Sequence, residues 1–378
     1  MSNPPIHILT HEFAPFTGGI AVYVAETARA LAGLGHPTTV WAPDYRGVPD
    51  DSGFPFDVRR VRMRGQQDWL CRLRMARALR AAFPDGCIPG TLILAEPGPL
   101  RLWLYARLLR LPQPQRLALV VHGSELGRLA APPYRHRRFA QLLAAAAVVG
   151  VVSSEIGERL CATWPQAAAK LARVPGAVRA AWRELPSVPR TEDRPLREII
   201  QVGRLHPRKG QDLLVEAVAR LPVAQRASLR VRLIGPVGRP RYARALRARI
   251  EQLRLPVSLD GPLPEAALRA AYESADLLVM PSRAHRASLE GLGIALLEAQ
   301  HFGCPVIGAR TGGIPEALLE NHTGLLVPPD DPAALAAALQ TLLADPARAA
   351  ALGAAGPPFA RARFSWTANA LLLAGSNA

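Results

Sequence analysis

Lysine is almost missing from this chain. Lys170 and Lys209 are the only two in 378 residues, so nearly all of the 46 basic side chains are arginine. Cysteine is scarce as well. Cys71, Cys87, Cys161 and Cys304 form no C-x-x-C pair and have no histidine at zinc-finger spacing, which argues for reduced thiols rather than a structural zinc or a disulfide framework. No apolar run reaches the roughly eighteen residues that a membrane-spanning helix needs. The longest candidate, Leu142 to Val152, reads as a buried helix end running into a strand. Met1 to Pro5 is polar and uncharged and strand-like residues follow at once, so no secretory leader is expected and a cytoplasmic location is the expectation. No D-x-D occurs, so the usual acidic clamp for a metal-bound nucleotide is missing, and neither G-x-S-x-G, a P-loop nor clustered metal ligands appear.

What is present is a globular composition, 49% hydrophobic and 20% charged, on a chain long enough for two domains with sizeable cores. The net charge of +16 is uneven: residues 1–190 carry 24 basic and 13 acidic side chains, net +11. Eight arginines lie between Arg59 and Arg80 against the single acid Asp68. Arg60, Arg62 and Arg64 alternate with Val61 and Met63, which places them on one face of a strand. Arg72, Arg74, Arg77 and Arg80 follow in a helical segment with Trp69, Leu70 and Leu73. Two readings stand: a chain that writes arginine wherever a cation is wanted, or a basic surface for anionic lipid head groups, which would make the protein peripheral at the inner membrane face. No nucleic-acid motif or aromatic stacking pattern accompanies the arginines, so a nucleic-acid partner is not expected.

The order of elements is α/β throughout. A short apolar strand, Ile6 to Thr10, is followed by a loop to Gly19, a helix over Ile20–Ala32 and a strand over Thr38–Pro43, an opening of the doubly wound kind. Strands are expected again at 91–95, 117–121 and 148–152. Between Pro175 and Arg197, Pro175, Pro186, Pro189 and Pro195 punctuate a polar stretch that reads as a linker. Alternation then restarts at Glu198, with strands expected at 198–202, 228–234, 257–259, 277–280, 306–308 and 325–327. Ala333 to Ala351 reads as one amphipathic helix. The expected domains are residues 1–185, residues 186–358 and a closing helix within 359–378, with a ligand cleft between two parallel sheets at strand C-terminal ends.

Chemistry concentrates in a few places. Glu290 and Glu298 stand eight residues apart, with Gly291 and Gly293 behind the first acid and the helical run Ile294–Leu297 before the second. Glycine-flanked N–H groups at a helix start suit a phosphate, and carboxylates suit hydroxyl groups. A carboxylate flanked by Leu297 and Ala299 on a buried helix is costly without a partner, which points to a hydrogen-bonded ligand for Glu298; a surface acid and a capping acid are the bland alternative. Arg204 and Lys209 lie just past the strand at 198–202, and two cations there suit a diphosphate, whereas a solvated basic loop fits Arg208. Gly18-Gly19 opens the first helix, where backbone N–H groups can approach an anion, or merely makes a tight turn. His122, in His122-Gly123-Ser124-Glu125 after an apolar strand, is either a cleft histidine that bonds a sugar or a structural one. His11, His206, His285 and His301 carry no pattern.

Together these residues resemble the retaining GT-B glycosyltransferases of family 4. The likeness runs from THEFAPFTGGIAVYV through HGSE, VGRLHPRKGQDLLVEA, ADLLVMPS and EGLGIALLEAQHFGCPVI to TGGIPEALLENHTGLLVPPDDPAALAAAL and Phe364-Ser365-Trp366. The E-x7-E element joined to G-R-x4-K is specific, and EGLGIxxLEAQ with RKGQD and the GGI loop is closest to bacterial phosphatidylinositol-mannoside-type mannosyltransferases. The resemblance implies two Rossmann-like domains and a C-terminal helix, within Phe364–Leu373, returning to the first. It implies that Gly18 and Gly19 line the donor-phosphate and acceptor side of the cleft, and that Arg204 and Lys209 neutralise the diphosphate with the N–H groups of Leu292, Gly293 and Ile294. Glu298 would accept hydrogen bonds from ribose hydroxyls, Glu290 from hydroxyls of the transferred sugar, and His122 would lie beside the anomeric carbon. Transfer would retain configuration by front-face attack, with no metal or other cofactor. The donor would be a nucleotide diphosphate sugar, GDP-mannose first and a UDP-sugar next, and the acceptor a lipid or glycan. Val174–Val178 departs from the family, which usually has an Asn-Gly turn there. A GT-B-like epimerase or phosphorylase, or a non-catalytic basic membrane-binding protein, are the other classes. A phosphorylase needs a pyridoxal-binding lysine and only Lys209 is on offer; a scaffold leaves the paired acids unexplained.

Overall fold

A computed structural model describes residues 3–16, 18–45, 50–63, 65, 68–193, 195–283 and 289–375. The chain forms two compact units, Met1–Gly176 with Ser365–Ala378, and Ala177–Phe364.

The first unit is built on seven parallel strands: β1 (Ile6–Leu9), β2 (Thr38–Pro43), β3 (Asp57–Val61), β4 (Cys87–Leu94), β5 (Gln113–Val121), β6 (Val148–Val151) and β7 (Leu171–Arg173), in the order β3-β2-β1-β4-β5-β6-β7. β1, β2 and β6 are buried along their whole length, as strands covered on both faces are, although β1 carries His7 and β2 opens on Thr38 and Thr39. The helix Gly19–Gly33 buries Ala21, Tyr23, Val24, Ala28 and Leu31. The last helix, Trp366–Ala374, belongs to this unit. Its Trp366 meets the Tyr23 ring edge-on at 5.3 Å, the Asn369 amide donates to the Pro175 carbonyl, and the Tyr23 hydroxyl donates to the Val174 carbonyl at 2.8 Å. The loop that departs from the expected Asn-Gly turn is therefore held by side chains from two helices.

The second unit has six parallel strands: β8 (Glu198–Val202), β9 (Arg230–Ile234), β10 (Val257–Gly261), β11 (Leu277–Met280), β12 (Val306–Ala309) and β13 (Gly324–Val327), ordered β10-β9-β8-β11-β12-β13. Its core joins Ile199, Val231, Leu233, Leu277 and Val279 from the sheet to Leu214, Val218, Leu335 and Leu339 from helices Gln211–Arg220 and Pro332–Ala344. In both sheets the strand order reverses at a central pair, β1–β4 and β8–β11, and loops leaving the C-terminal ends of such a pair diverge and leave room for a ligand.

The two compact units divide at 176/177 and 364/365. Several expectations need correction. The stretch read as a polar linker contains a short helix, Ala180–Arg183, whose Trp182 is buried against Tyr272 and Phe302 at 5.9 and 5.8 Å between ring centroids. It packs as core of the second unit. Residues 333–351 are two helices, not one. Asp345 breaks them, its carboxylate accepting from the Arg348 N–H while Pro346 takes the first position of helix Pro346–Arg363. β3 ends at Val61, so Arg62 and Met63 lie beyond it, and Arg64 falls outside the described residues. Arg60 does not belong to an open basic face: it pairs with Asp51 at 2.6 Å and donates to the carbonyls of Ala14 and Pro43.

Candidate active site

In the second unit the loops after β8 and β11 carry the charges. After β8 the chain makes a single tight turn, Pro207–Lys209, then passes through Gly210 into helix Gln211–Arg220. Lys209 is pinned through its backbone: its carbonyl accepts from the Gln201 side chain at 2.7 Å and its N–H donates to the His206 carbonyl. Its ammonium donates to Glu290 Oε2 at 2.7 Å, and the Arg208 guanidinium donates to the same oxygen at 2.6 Å. The solvated-loop reading of Arg208 is thus overturned. Glu290 is only 7% exposed. Burial alone would raise its carboxyl, but Lys209 and Arg208 outweigh that and hold it at about 2. Lys209 is pushed below its ordinary value by burial, with Arg208 and Arg204 adding to the effect and Glu290 opposing it. Arg204 is exposed, and its guanidinium makes no hydrogen bond or ion pair among the described residues. The backbone of Glu290 is clamped in turn: its carbonyl accepts from Gly313 N–H at 3.0 Å, and Gly312 has φ +57° with no room for a Cβ, which would stand 2.2 Å from that oxygen.

Glu290 lies on the loop, and Glu298 lies on the helix Ile294–His301. The two acids share no partner among the described residues. Glu298, 3% exposed, is not a lone carboxylate. Its Oε1 accepts from Arg179 Nε at 2.8 Å and its Oε2 from the Tyr272 hydroxyl at 2.7 Å. The premise that burial forces a ligand on Glu298 therefore fails, since the protein itself supplies the partners. Arg179 also lies over the Trp182 ring at 4.5 Å. No signal in the sequence marked Arg179, which sits in the supposed linker, or Tyr272, on helix Glu265–Ser274.

The helix start before Glu298 keeps its donors. Gly293, at φ +89°, turns the chain into the helix, and the N–H groups of Gly291, Leu292, Gly293 and Ile294 meet no protein acceptor among the described residues. Such free N–H groups, backed by the helix dipole, favour an anion. Residues 284–288, with His285, lie outside the described residues.

In the first unit Gly18 caps helix Gly19–Gly33 in extended conformation, and neither Gly18 nor Gly19 needs a positive φ. A Cβ on Gly19 would meet nothing within 4 Å. Glycine there is not demanded by the protein's own packing. His122 follows β5. Its Nε2 bonds the Ala95 carbonyl at 2.9 Å, which requires the proton on Nε2 and leaves Nδ1 as an acceptor. Burial holds its pKa down at about 4, so the ring is neutral near pH 7. Sequence reading passed over the acids around it. Glu125 accepts from the His122 N–H at 2.8 Å, and Glu96 accepts from the N–H groups of His11 and Gly98, both at 2.8 Å. Burial pushes Glu125 up to about 7 and Glu96 to about 8, although these hydrogen bonds oppose it. The position of Glu125, three residues after His122 at a strand end, was the available signal. A groove of about 990 Å³, lined among others by Leu104, Arg107, Arg116, Arg138 and Lys170, lies in this unit, and none of the candidate residues lines it.

Two family models match, glycosyltransferase family 4 over residues 17–182 and glycosyl transferases group 1 over residues 188–358. The chain is 31% identical to a GDP-mannose-dependent alpha-(1-6)-phosphatidylinositol monomannoside mannosyltransferase of Mycolicibacterium smegmatis, covering 97% of this chain and 96% of that protein. The chain belongs to glycosyltransferase family 4. The corresponding Mycobacterium tuberculosis protein is 33% identical over the same shares. The sucrose-phosphate synthase of Thermosynechococcus elongatus has the same fold, with a TM-score of 0.75 at 24% identity, 98% of this chain and 97% of the other being covered. A family 4 glycosyltransferase of this kind has the GT-B architecture of two Rossmann-like units, as found here. Among the described residues no helix is long and apolar enough to cross a membrane.

Proposed function

We propose that this glycosyltransferase moves a hexosyl group from a nucleoside diphosphate sugar, GDP-mannose first among donors, to a lipid or glycan acceptor with retention of configuration. The observation that carries the reading is the cluster at the ends of β8 and β11: a buried, ionised Glu290 sharing one oxygen with Lys209 and Arg208, beside an exposed Arg204. That cluster holds more positive than negative charge and suits a diphosphate, while Glu290 is kept as a pure acceptor for sugar hydroxyls. The GDP-mannose preference rests on the names of the mycobacterial relatives.

In this reading Arg204, Lys209 and the N–H groups of Leu292, Gly293 and Ile294 stabilise charge as it develops on the departing diphosphate. The departing phosphate takes the acceptor's proton, and the acceptor hydroxyl attacks the face that it leaves. Glu298, held in place by Arg179 and Tyr272, accepts from the ribose hydroxyls. Gly18 and Gly19 leave backbone open to an anionic ligand, and His122 offers Nδ1 as an acceptor. Charge neutralisation falls to side chains and amides, so turnover is read as independent of a metal. The face of helix Trp69–Ala82 that exposes Trp69, Leu70 and Leu73 beside Arg74 and Arg77 is read as the surface for anionic lipid.

The test is calorimetric binding and hydrolysis across a panel of GDP- and UDP-sugars, in EDTA, with NMR of the first-formed product. Selective turnover of GDP-mannose with an α product supports the reading. UDP-sugar turnover would move the donor assignment to the second choice, an inverted product removes retention, and no binding to any nucleotide sugar sinks the proposal.

A further inference from the structure

Lys209 faces two demands. In the structure it is a counterion of Glu290, 2.7 Å from Oε2, and in the reading above it is also a counterion of the donor diphosphate. One ammonium drawn toward a more highly charged anion gives less to the carboxylate. A carboxylate that is 7% exposed and has lost its cation must either bear a heavy desolvation cost or take up a proton. A protonated Glu290 would donate where it should accept.

We propose that Arg208 is a positioning residue that keeps Glu290 ionised and oriented while Lys209 is engaged by the donor diphosphate. This rests on the donor-site reading of Glu290 and Lys209. The geometry suits the task. Arg208 Nη1 reaches Oε2 at 2.6 Å and the Leu289 carbonyl at 3.4 Å, so the guanidinium is fixed by the loop that carries Glu290. Its backbone is held on both sides: the N–H donates to His206 Nδ1 at 3.1 Å, and the carbonyl accepts from Arg283 N–H at 2.8 Å. The Arg208 side chain is 19% exposed, partly withdrawn from water. Among the described residues the other group on the carboxylate is the Ser282 hydroxyl, at 3.4 Å from Oε2, a neutral donor that cannot replace a cation. Arg204 lies near enough to depress Lys209 but makes no bond to Glu290, so among the described residues Arg208 is the second cation bonded to this carboxylate.

The experiment compares wild type, R208Q, R208K, E290Q and R208Q/E290Q for donor KM, kcat and the pH dependence of kcat, using the nucleotide sugar that wild type turns over. Thermal melting confirms that each variant is folded. R208Q is expected to lower kcat by about 10- to 100-fold with donor KM changed by less than about threefold, as befits a group acting through another in the transition state. Its acid limb should rise from below pH 4 into the range of about 5 to 6, because a cation that favoured the ionised carboxylate is gone. R208K should recover most of the turnover and return the limb. In the E290Q background the same change should cost less than about threefold, since a residue acting through Glu290 has nothing left to hold. Equal losses in both backgrounds, or a raised KM with unchanged kcat, would mean that Arg208 touches the donor itself and would overturn the inference alone. An R208Q enzyme with wild-type kinetics and pH profile does the same. If wild type turns over no nucleotide sugar, the donor-site reading falls and this inference falls with it.

Discussion

Lys209→Met asks whether the chain's second lysine stabilises a fold or a leaving group. Methionine keeps most of the stem and removes the charge. Breaking a buried ion pair by removing one partner commonly costs about 3–5 kcal/mol, because the other charge is left uncompensated. Here Arg208 stays 2.6 Å from the same Glu290 oxygen, so the carboxylate keeps a counterion and the expected loss is nearer ~1–2 kcal/mol. In a unit of this size that lowers the melting temperature by roughly 2–8 °C. The kinetic cost should be larger. Removing one preorganised group from a developing anion typically costs about 10²–10³ in kcat, or roughly 3–4 kcal/mol. Turnover of the nucleotide sugar, measured as released nucleoside diphosphate with a coupled assay, and differential scanning fluorimetry on the same preparation give the two numbers. A melting shift of a few degrees with a loss of a hundredfold or more fits the leaving-group role. Turnover within threefold of wild type would refute it, whatever the stability change.

Three further outcomes are expected. Glu298→Ala should destabilise the second unit by about 3–5 kcal/mol, because Arg179 and Tyr272 lose their acceptor, whereas Glu298→Gln should stay folded and bind nucleotide at least about tenfold more weakly by calorimetry. The first unit should lose stability between pH 6.5 and 8.5. Glu96 and Glu125, raised to about 8 and 7, favour the folded state below their unfolded values and lose that contribution as pH rises through 7 and 8, whereas His7 and His122, lowered to about 4, act only below about 6.5. The loss is on the order of 2–3 kcal/mol, and melting of Glu96→Gln across that window should be flatter than wild type. Flotation with anionic vesicles should capture the wild type in a salt-sensitive manner and fail to capture a Trp69→Ala, Leu70→Ala, Leu73→Ala variant; equal capture of both would remove that helix from the membrane surface.

The order of elements was legible because parallel sheets leave an unmistakable trace. Strands buried on both faces are mostly apolar, as β6 and β11 are along their whole length, and the helices between them need one apolar stripe. Breaks were harder. Asp345 stops one helix and caps the next through a single carboxylate-to-N–H bond, a signal hidden inside an alanine-rich run of helical character. Edge strand β7, Leu171–Arg173, is three residues long and half exposed, and leaves no apolar run to find.

The sequence alone determined the local features from which the site is read: two acids at a set spacing, a rare lysine five residues after Arg204, and glycines at two helix starts. Those are local properties, set by residue type and by the turns that glycine and proline allow. Which charge answers which was decided by tertiary structure alone. Glu290 meets Arg208 and Lys209 because β8 and β11 are neighbours in a sheet order that runs against chain order. Glu298 meets Arg179 because a proline-punctuated stretch folds back as core. Electrostatic energy depends on distance through space, and partners separated by 82 and 119 residues leave no mark on each other along the chain.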